Sequence, residues 1–332
     1  MRAISPLLLV ALLLVPSASL AAEAPGSVAL REWEVPWEDT RPRDPFAAAG
    51  DSVWFVGQRG HYLGHLDPAS GRFEKVDLAG EPGPHNLVVG EDGAVWFAGN
   101  LTGTIGRFDP ASGAVEAVAM PDPAARDPHT LVFGPGGDAL WFTVQGGNFV
   151  GRLEPATRKV KLVRVPVERA RPYGIVVAPD GTPWVALFGT NALLSLDPAT
   201  LEPTVHRLPR AEARPRRVGL TSDGRVWSVD YAGGRLVAYD PAAKAFEEWA
   251  LPSGEDARPY GMAVDHRDRI WLVETGPQPN RFVGFDPAGE SFFTATPIPS
   301  GGGSVRHMHF HAPSKTIWFG TDANTIGRAT LE

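Results

Sequence analysis

The same order of apolar and polar positions returns seven times along the chain. An apolar run such as Leu87-Val88-Val89, Ile175-Val176-Val177 or Val218-Gly219-Leu220 leads into Asp92-Gly93, Asp180-Gly181 or Asp223-Gly224. Asp-Gly between two apolar runs signals a hairpin. A second short apolar run follows, built on Trp54, Trp96, Trp141, Trp184, Trp227, Trp271 and Trp318. Next comes a run ending in a further turn, as in Gly106-Arg107-Phe108-Asp109-Pro110 and Gly151-Arg152-Leu153-Glu154-Pro155. A more polar alternating run such as Phe73-Glu74-Lys75-Val76 completes the unit. The Trp spacings are 42, 45, 43, 43, 44 and 47 residues, the length of a four-stranded blade. The pattern predicts an all-β, seven-bladed β-propeller of four-stranded antiparallel blades, with the outermost strand of each blade partly solvated.

The ends of the chain predict how the ring closes. The fourth run usually ends in an apolar residue and Pro, at Met120-Pro121, Val165-Pro166, Leu208-Pro209, Leu251-Pro252 and Ile298-Pro299. The same signature stands at Val35-Pro36, ahead of the first Trp, while the last repeat stops after its third strand. Leu30 to Val35 is therefore expected to supply the outer strand of the last blade, so that the ring has no open edge.

Residues 1–21 read as a signal peptide, with Arg2 as a basic start, an apolar core from Leu7 to Val15 and small residues at Ser19-Leu20-Ala21. The expected organisation is a leader over 1–21, one propeller over 22–332, and a mature protein that is periplasmic or secreted and not inserted in a membrane. The chain has no Cys, which removes disulfides, thiolate metal sites and Cys nucleophiles. Its net charge of −7 argues against nucleic acid as a partner. A monomer acting on a small, anionic molecule is expected.

Counting back eleven residues from each Trp (twelve in the third repeat) gives Arg43, His85, His129, Tyr173, Arg216, Tyr260 and His307. These fall at the start of the innermost strands, facing the tunnel. Packing alone does not choose Arg, His and Tyr there, because such groups are costly to bury unpaired. They form the candidate substrate-binding ring, with a water-satisfied channel as the plainer alternative. Two residues upstream stand Arg41, Gly83, Asp127, Arg171, Arg214, Arg258 and Val305. Arg171, Arg214 and Arg258 add cationic groups that suit a carboxylate, phosphate or sulfate, or else pair with neighbouring blades. A second loop follows each Trp and supplies Asp230, Glu274 and Asp322. Glu274 and Asp322 are the candidate ligands for Mg²⁺ or Ca²⁺, with counter-ion for the Arg ring as their commoner role. No organic cofactor is expected. His307-Met308-His309-Phe310-His311 places three imidazoles at strand alternation, all expected to face the tunnel.

The chain resembles the streptogramin B (virginiamycin B) lyases over nearly all of its mature length. The resemblance rests on Pro84-His85-Asn86-Leu87, Trp96-Phe97 and Ile105-Gly106-Arg107-Phe108-Asp109-Pro110, with their repeats. It implies an elimination that opens an ester-closed ring without water. A Mg²⁺ polarises the ester, and a His eleven residues before the last Trp takes the proton α to a carbonyl. That position matches His307, with Glu274 or Asp322 in support. The family's Glu two residues before that His is Val305 here, and its last-blade Glu is Thr321, with Glu274 one blade earlier. Three readings follow: a lyase with His307 as general base, a binding propeller without chemistry, or a lactonase-type hydrolase.

Overall fold

The computed structural model describes residues 28–331 apart from 49 and 51; the leader predicted over 1–21 lies outside the described residues. Twenty-eight strands, β1 to β28 in chain order, form seven antiparallel sheets of four among the described residues. The innermost strands are β2 (Pro42–Ala47), β6 (Pro84–Val89), β10 (Pro128–Phe133), β14 (Pro172–Val177), β18 (Pro215–Leu220), β22 (Pro259–Val264) and β26 (Val305–His311). This is the seven-bladed propeller that the Trp spacing predicts.

Closure also follows the prediction. The strand β1 (Ala29–Glu34) pairs with β28 (Thr325–Thr330), with Trp33 opposite Ile326. Trp33 stacks on Trp318 with ring centroids 5.5 Å apart. Glu32 accepts hydrogen bonds from Thr325 Oγ1 at 2.5 Å and from the Ser300 amide at 2.8 Å, joining the first strand to the last two blades. The edge that the seventh blade would otherwise expose is thereby paired.

Blades pack face to face through the repeated Trp. Trp96 of the second blade is buried in one cluster with Leu140 and Phe142 of the third. Trp227 of the fifth is buried with Met262 and Leu272 of the sixth. Two indole nitrogens are satisfied locally, Trp227 Nε1 by Thr221 Oγ1 and Trp271 Nε1 by Asp265 Oδ2, each at 2.9 Å. These residues are inter-blade core, as expected of large aromatic groups at a repeated position.

The Gly of the third strand has a packing reason. Phe55, Phe97, Phe142 and Phe319 lie directly opposite Gly64, Gly106, Gly151 and Gly327. A Cβ on any of these glycines would sit inside the facing ring. Where the residue after Trp is smaller, the glycine is gone: Val185 faces Leu194, Ser228 faces Val237 and Leu272 faces Val283. Each blade fills the same space from one side or the other, as close packing requires. Gly106→Leu alone is expected to destabilise by about 3 kcal/mol through overpacking. The double change Phe97→Val with Gly106→Leu, which copies the fourth blade, should recover most of that loss in urea unfolding.

Candidate functional site

Each innermost strand carries a β-bulge at its first turn, where two of its residues oppose one on the neighbouring strand. The bulged pairs are Asp44-Pro45, His85-Asn86, His129-Thr130, Tyr173-Gly174, Arg216-Arg217, Tyr260-Gly261 and Arg306-His307. The extra residue breaks the strict alternation of the strand, so two consecutive side chains can reach the polar centre instead of one, except where the second is Gly174 or Gly261.

Six of the predicted ring residues form a continuous belt. Arg43 Nη1 lies 3.1 Å from His85 Nε2. The His85 and His129 rings are 3.8 Å apart, and His129 and Tyr173 are 4.1 Å apart. The Tyr173 and Tyr260 hydroxyls share a hydrogen bond. The Arg216 guanidinium lies 3.4 Å from the centre of the Tyr260 ring and 4.4 Å from that of Tyr231, with Phe188 at 4.5 Å. Aromatic faces hold this cation by quadrupole attraction.

The seventh position needs a correction. His309 pairs with Trp318, whereas Val88 pairs with Trp96, so the hairpin of the last blade is one residue longer. The residue equivalent to His85 is Arg306, and His307 occupies the second bulge position with Asn86, Thr130 and Arg217. The upstream ring shifts likewise. Val305 is fully buried and pairs with Thr321, so it takes the place of the strand-opening Pro. His311 also departs from the expected row: its Nδ1 bonds Ser314 Oγ at 2.7 Å in the hairpin. His309 stacks on Phe46 at 4.0 Å.

Asp44, which follows Arg43, and the second bulge residues Asn86, Thr130 and Arg217 build a network across the axis that the Trp count does not reveal. Asp44 accepts from Arg43 Nε and from Asn86 Nδ2, both at 2.9 Å. Asn86 Oδ1 in turn accepts the Leu131 amide at 2.8 Å, tying the first three blades together. Arg217 reaches over from the fifth blade. It donates to Thr130 Oγ1 at 3.1 Å and to the Arg306 carbonyl at 2.9 Å, and it forms an ion pair with Asp44 at 3.7 Å. Arg43 and Arg217 are both nearly fully buried.

Cations outnumber anions at this centre, with Arg43, Arg216 and Arg217 around the single carboxylate of Asp44. Arg43 Nη2, Arg216 Nε and Arg217 Nη2 are buried without hydrogen-bond partners, as is His307 Nδ1. Burial would raise the Asp44 carboxyl, but Arg43, His307 and Arg217 hold it well below the usual carboxylate range. Burial keeps His85 and His129 neutral, and the guanidiniums add to the effect. Burial also pushes His307 down to about 4, against the pull of Asp44 and with the push of Arg217 and Arg43. Burial raises Tyr173. It would raise Tyr260 as well, but Arg216, Arg43 and Arg217 outweigh it and bring that phenol down to about 8. The shifts of Asp44, His85, His129, His307 and Tyr260 point the same way, toward added negative and away from added positive charge, while Tyr173 is raised by burial.

The remaining predicted residues lie apart from this centre. Glu274 is buried, and its carboxylate accepts the Ser253 amide at 2.9 Å and the Ser253 hydroxyl at 2.5 Å. It pins a loop of its own blade and does not serve the imidazole of His307. Asp230 does the same work one blade earlier, accepting the Arg214 amide at 2.7 Å and pairing with Arg210. Asp322 pairs with Arg306. Arg171 and Arg258 are exposed on the rim, and Arg214 bonds the carbonyls of Ala211 and Ala213 at 3.0 and 2.6 Å. Among the described residues no three His, Asp or Glu side chains converge to hold a metal ion. With Glu274 and Asp322 already occupied in different loops, the donor set does not fit the expected Mg²⁺ or Ca²⁺.

The lowered phenol has a measurable consequence. Between about pH 8 and the ordinary tyrosine value of 10, the unfolded chain binds more protons at Tyr260 than the folded one. Stability from this group is therefore fully present above 10 and is lost as pH falls through about 8. The stability difference between the wild type and Tyr260→Phe should grow by about 2 kcal/mol from pH 7.5 to 10 in denaturant titrations.

Comparison with known proteins agrees with the seven-bladed propeller. No curated protein matches the chain. A virginiamycin B lyase from Staphylococcus aureus superposes with a TM-score of 0.83 at 22% identity, covering 92% of this chain and 100% of that one. A streptogramin B lyase gives 0.83 at 21% identity, covering 94% and 100%. A hydrazine synthase from Kuenenia stuttgartiensis gives 0.72 at 16% identity, covering 90% and 97%, so the fold by itself extends beyond one chemistry. Residues 23–196 match the virginiamycin B lyase family, and the chain belongs to that family.

Proposed function

We propose that the tunnel centre binds a small anionic molecule and that His307 takes a proton α to a carbonyl, starting an elimination that breaks a carbon–oxygen bond. The observation that carries this reading is the surplus of buried guanidinium groups beside an unpartnered, neutral imidazole. A neutral imidazole can accept a proton, and guanidiniums with free N–H groups can hold the enolate-like charge that follows. The charge that a divalent cation supplies elsewhere is here available from Arg43, Arg216 and Arg217.

The step balances within the substrate. The proton moves to His307, the C–H electron pair becomes a carbon–carbon double bond, and the C–O bond breaks to release a carboxylate. A structure of a catalytically inactive His-to-Ala variant of the Staphylococcus aureus enzyme with quinupristin has the same fold at 22% identity, which supports a His-dependent reaction for this fold. We place the mature protein outside the cytoplasm, because the leader-like segment over 1–21 suits an exported chain.

An O-acyl-threonine peptide tests the chemistry, because elimination and hydrolysis part company on it. Elimination gives an unsaturated amide and no oxygen from labelled water, whereas a lactonase-type hydrolysis gives labelled carboxylate. Wild-type protein should give the first product, and His307→Gln should lose at least about 100-fold in kcat/KM while unfolding normally. The acid limb of kcat/KM should fall through about pH 4, because only the unprotonated His307 is active. Normal turnover by His307→Gln would end the catalytic reading. Anion binding without turnover by the wild type would leave a binding propeller.

A further inference from the structure

Arg217 does more than neutralise Asp44. By crossing the axis to the third and seventh blades it places a polar roof over the lower part of the tunnel. Beneath that roof is a chamber of about 280 Å³ to which all seven innermost strands contribute. Its walls are mainly apolar, with Phe46, Val132, Val176, Val264 and Phe310 partly exposed, and the His309 imidazole stands among them. Arg217, His307, Thr130 and His309 supply its polar side chains, the first three belonging to the network across the axis. The chamber continues toward the opposite face of the molecule, where a larger cleft of about 610 Å³ between the second and third blades shares Phe46, Val88 and Val132 with it.

The contrast between the two ends defines an occupant. Water gains little from apolar walls, and the volume matches about nine water-sized groups. Arg217 is 3% exposed, and its Nη2, 3.7 Å from Asp44 Oδ2, has no hydrogen-bond partner. His307 Nδ1 is likewise unpartnered. The Arg217 guanidinium, with no hydrogen bond at Nη2, and the His307 imidazole in the tautomer with hydrogen on Nδ1 suit a carboxylate, whose two oxygens accept from both. His307 Nε2 is then left as the basic nitrogen. The apolar walls suit an unbranched tail attached to that carboxylate.

We propose that the lower chamber binds the tail of a carboxylate-bearing amphiphile, with the carboxylate on Arg217 Nη2 and His307 Nδ1. The ligand reaches the centre from the hairpin face, opposite the belt of Arg43, His85 and Tyr260. This deepens the reading above in one respect, since both place an anionic group at Arg217, but it requires no turnover. It assigns the substrate a class: an acyl carboxylate, or an ester that releases one, with a tail of about eight carbons.

Calorimetric titration of the wild-type protein with acetate, butanoate, hexanoate and octanoate tests it. Affinity should rise about threefold to fourfold per added methylene, as burial of apolar surface predicts. Hexan-1-ol should bind at least tenfold more weakly than hexanoate. Val176→Phe, which fills the chamber from its wall, should weaken octanoate at least tenfold and leave acetate unchanged. Arg217→Lys keeps a cation at the roof and should retain chain-length selectivity. Acetate and octanoate binding alike would overturn the chamber and leave the anion site standing. Hexanol matching hexanoate would overturn the carboxylate contact, and no binding of any carboxylate would overturn both readings.

Discussion

Seven strands that meet around one axis leave their first turns no partner except each other. The buried carboxylate of Asp44 is the clearest case. Alone it would be expensive to keep charged, and protonated it could not organise its neighbours. It stays charged because Arg43, Asn86 and Arg217 converge on it from three different blades. Those contacts need the ring to be closed, so the pairing of the first strand with the last blade is a condition for the centre as well as for the edge. Removing Asp44 would leave two buried guanidiniums facing each other, which is a larger penalty than the loss of one ion pair.

The same charge imbalance organises the chemistry. Three guanidiniums beside one carboxylate would be a liability in a core that nothing enters. The structure spreads the excess in three ways. Aromatic faces hold Arg216, the phenol of Tyr260 is made more acidic, and the nearby imidazoles are kept neutral. Each device leaves the centre ready to take up one more negative group. A bound anion would finish the neutralisation that Asp44 begins, so binding and stability draw on the same set of charges.

The architecture was legible because it rests on repetition. Trp spacing gave the blade length, Asp-Gly marked the hairpins, and the stray Val35-Pro36 revealed the closure. Six ring residues were found the same way. His307 was displaced by one because counting from Trp318 assumes a constant hairpin, and His311-Ala312-Pro313-Ser314-Lys315 carries one residue more. The third repeat, with Gly134-Pro135-Gly136-Gly137, shows the same lengthening and was allowed for. Asp44, Asn86, Thr130 and Arg217 were missed because a strand read with a period of two has no place for a second inward residue. A bulge has no distinct sequence mark. The faint signal is that polar residues occupy two consecutive positions at the head of an otherwise apolar strand, as in His85-Asn86 and Arg216-Arg217.

Glu274 shows the opposite failure. Its residue type and its place after Trp271 suggest a catalytic carboxylate, yet its oxygens are spent on the amide and hydroxyl of Ser253. Asp230 at the equivalent place also accepts a loop amide. In the last blade the position is Thr321, whose hydroxyl bonds the Thr325 amide at 3.2 Å. Three different side chains thus perform one task, closing the turn between the second and third strands or the loop beside it. In the last three blades an acceptor stands at this position, whereas the first four carry Gly57, Gly99, Val144 and Leu187 there. A carboxylate chosen for that reason is not free to hold a cation. The positive groups at the axis are only partly committed, since Arg43 Nη2 and Arg216 Nε have no hydrogen-bond partner, and there the chain keeps its unspent chemistry.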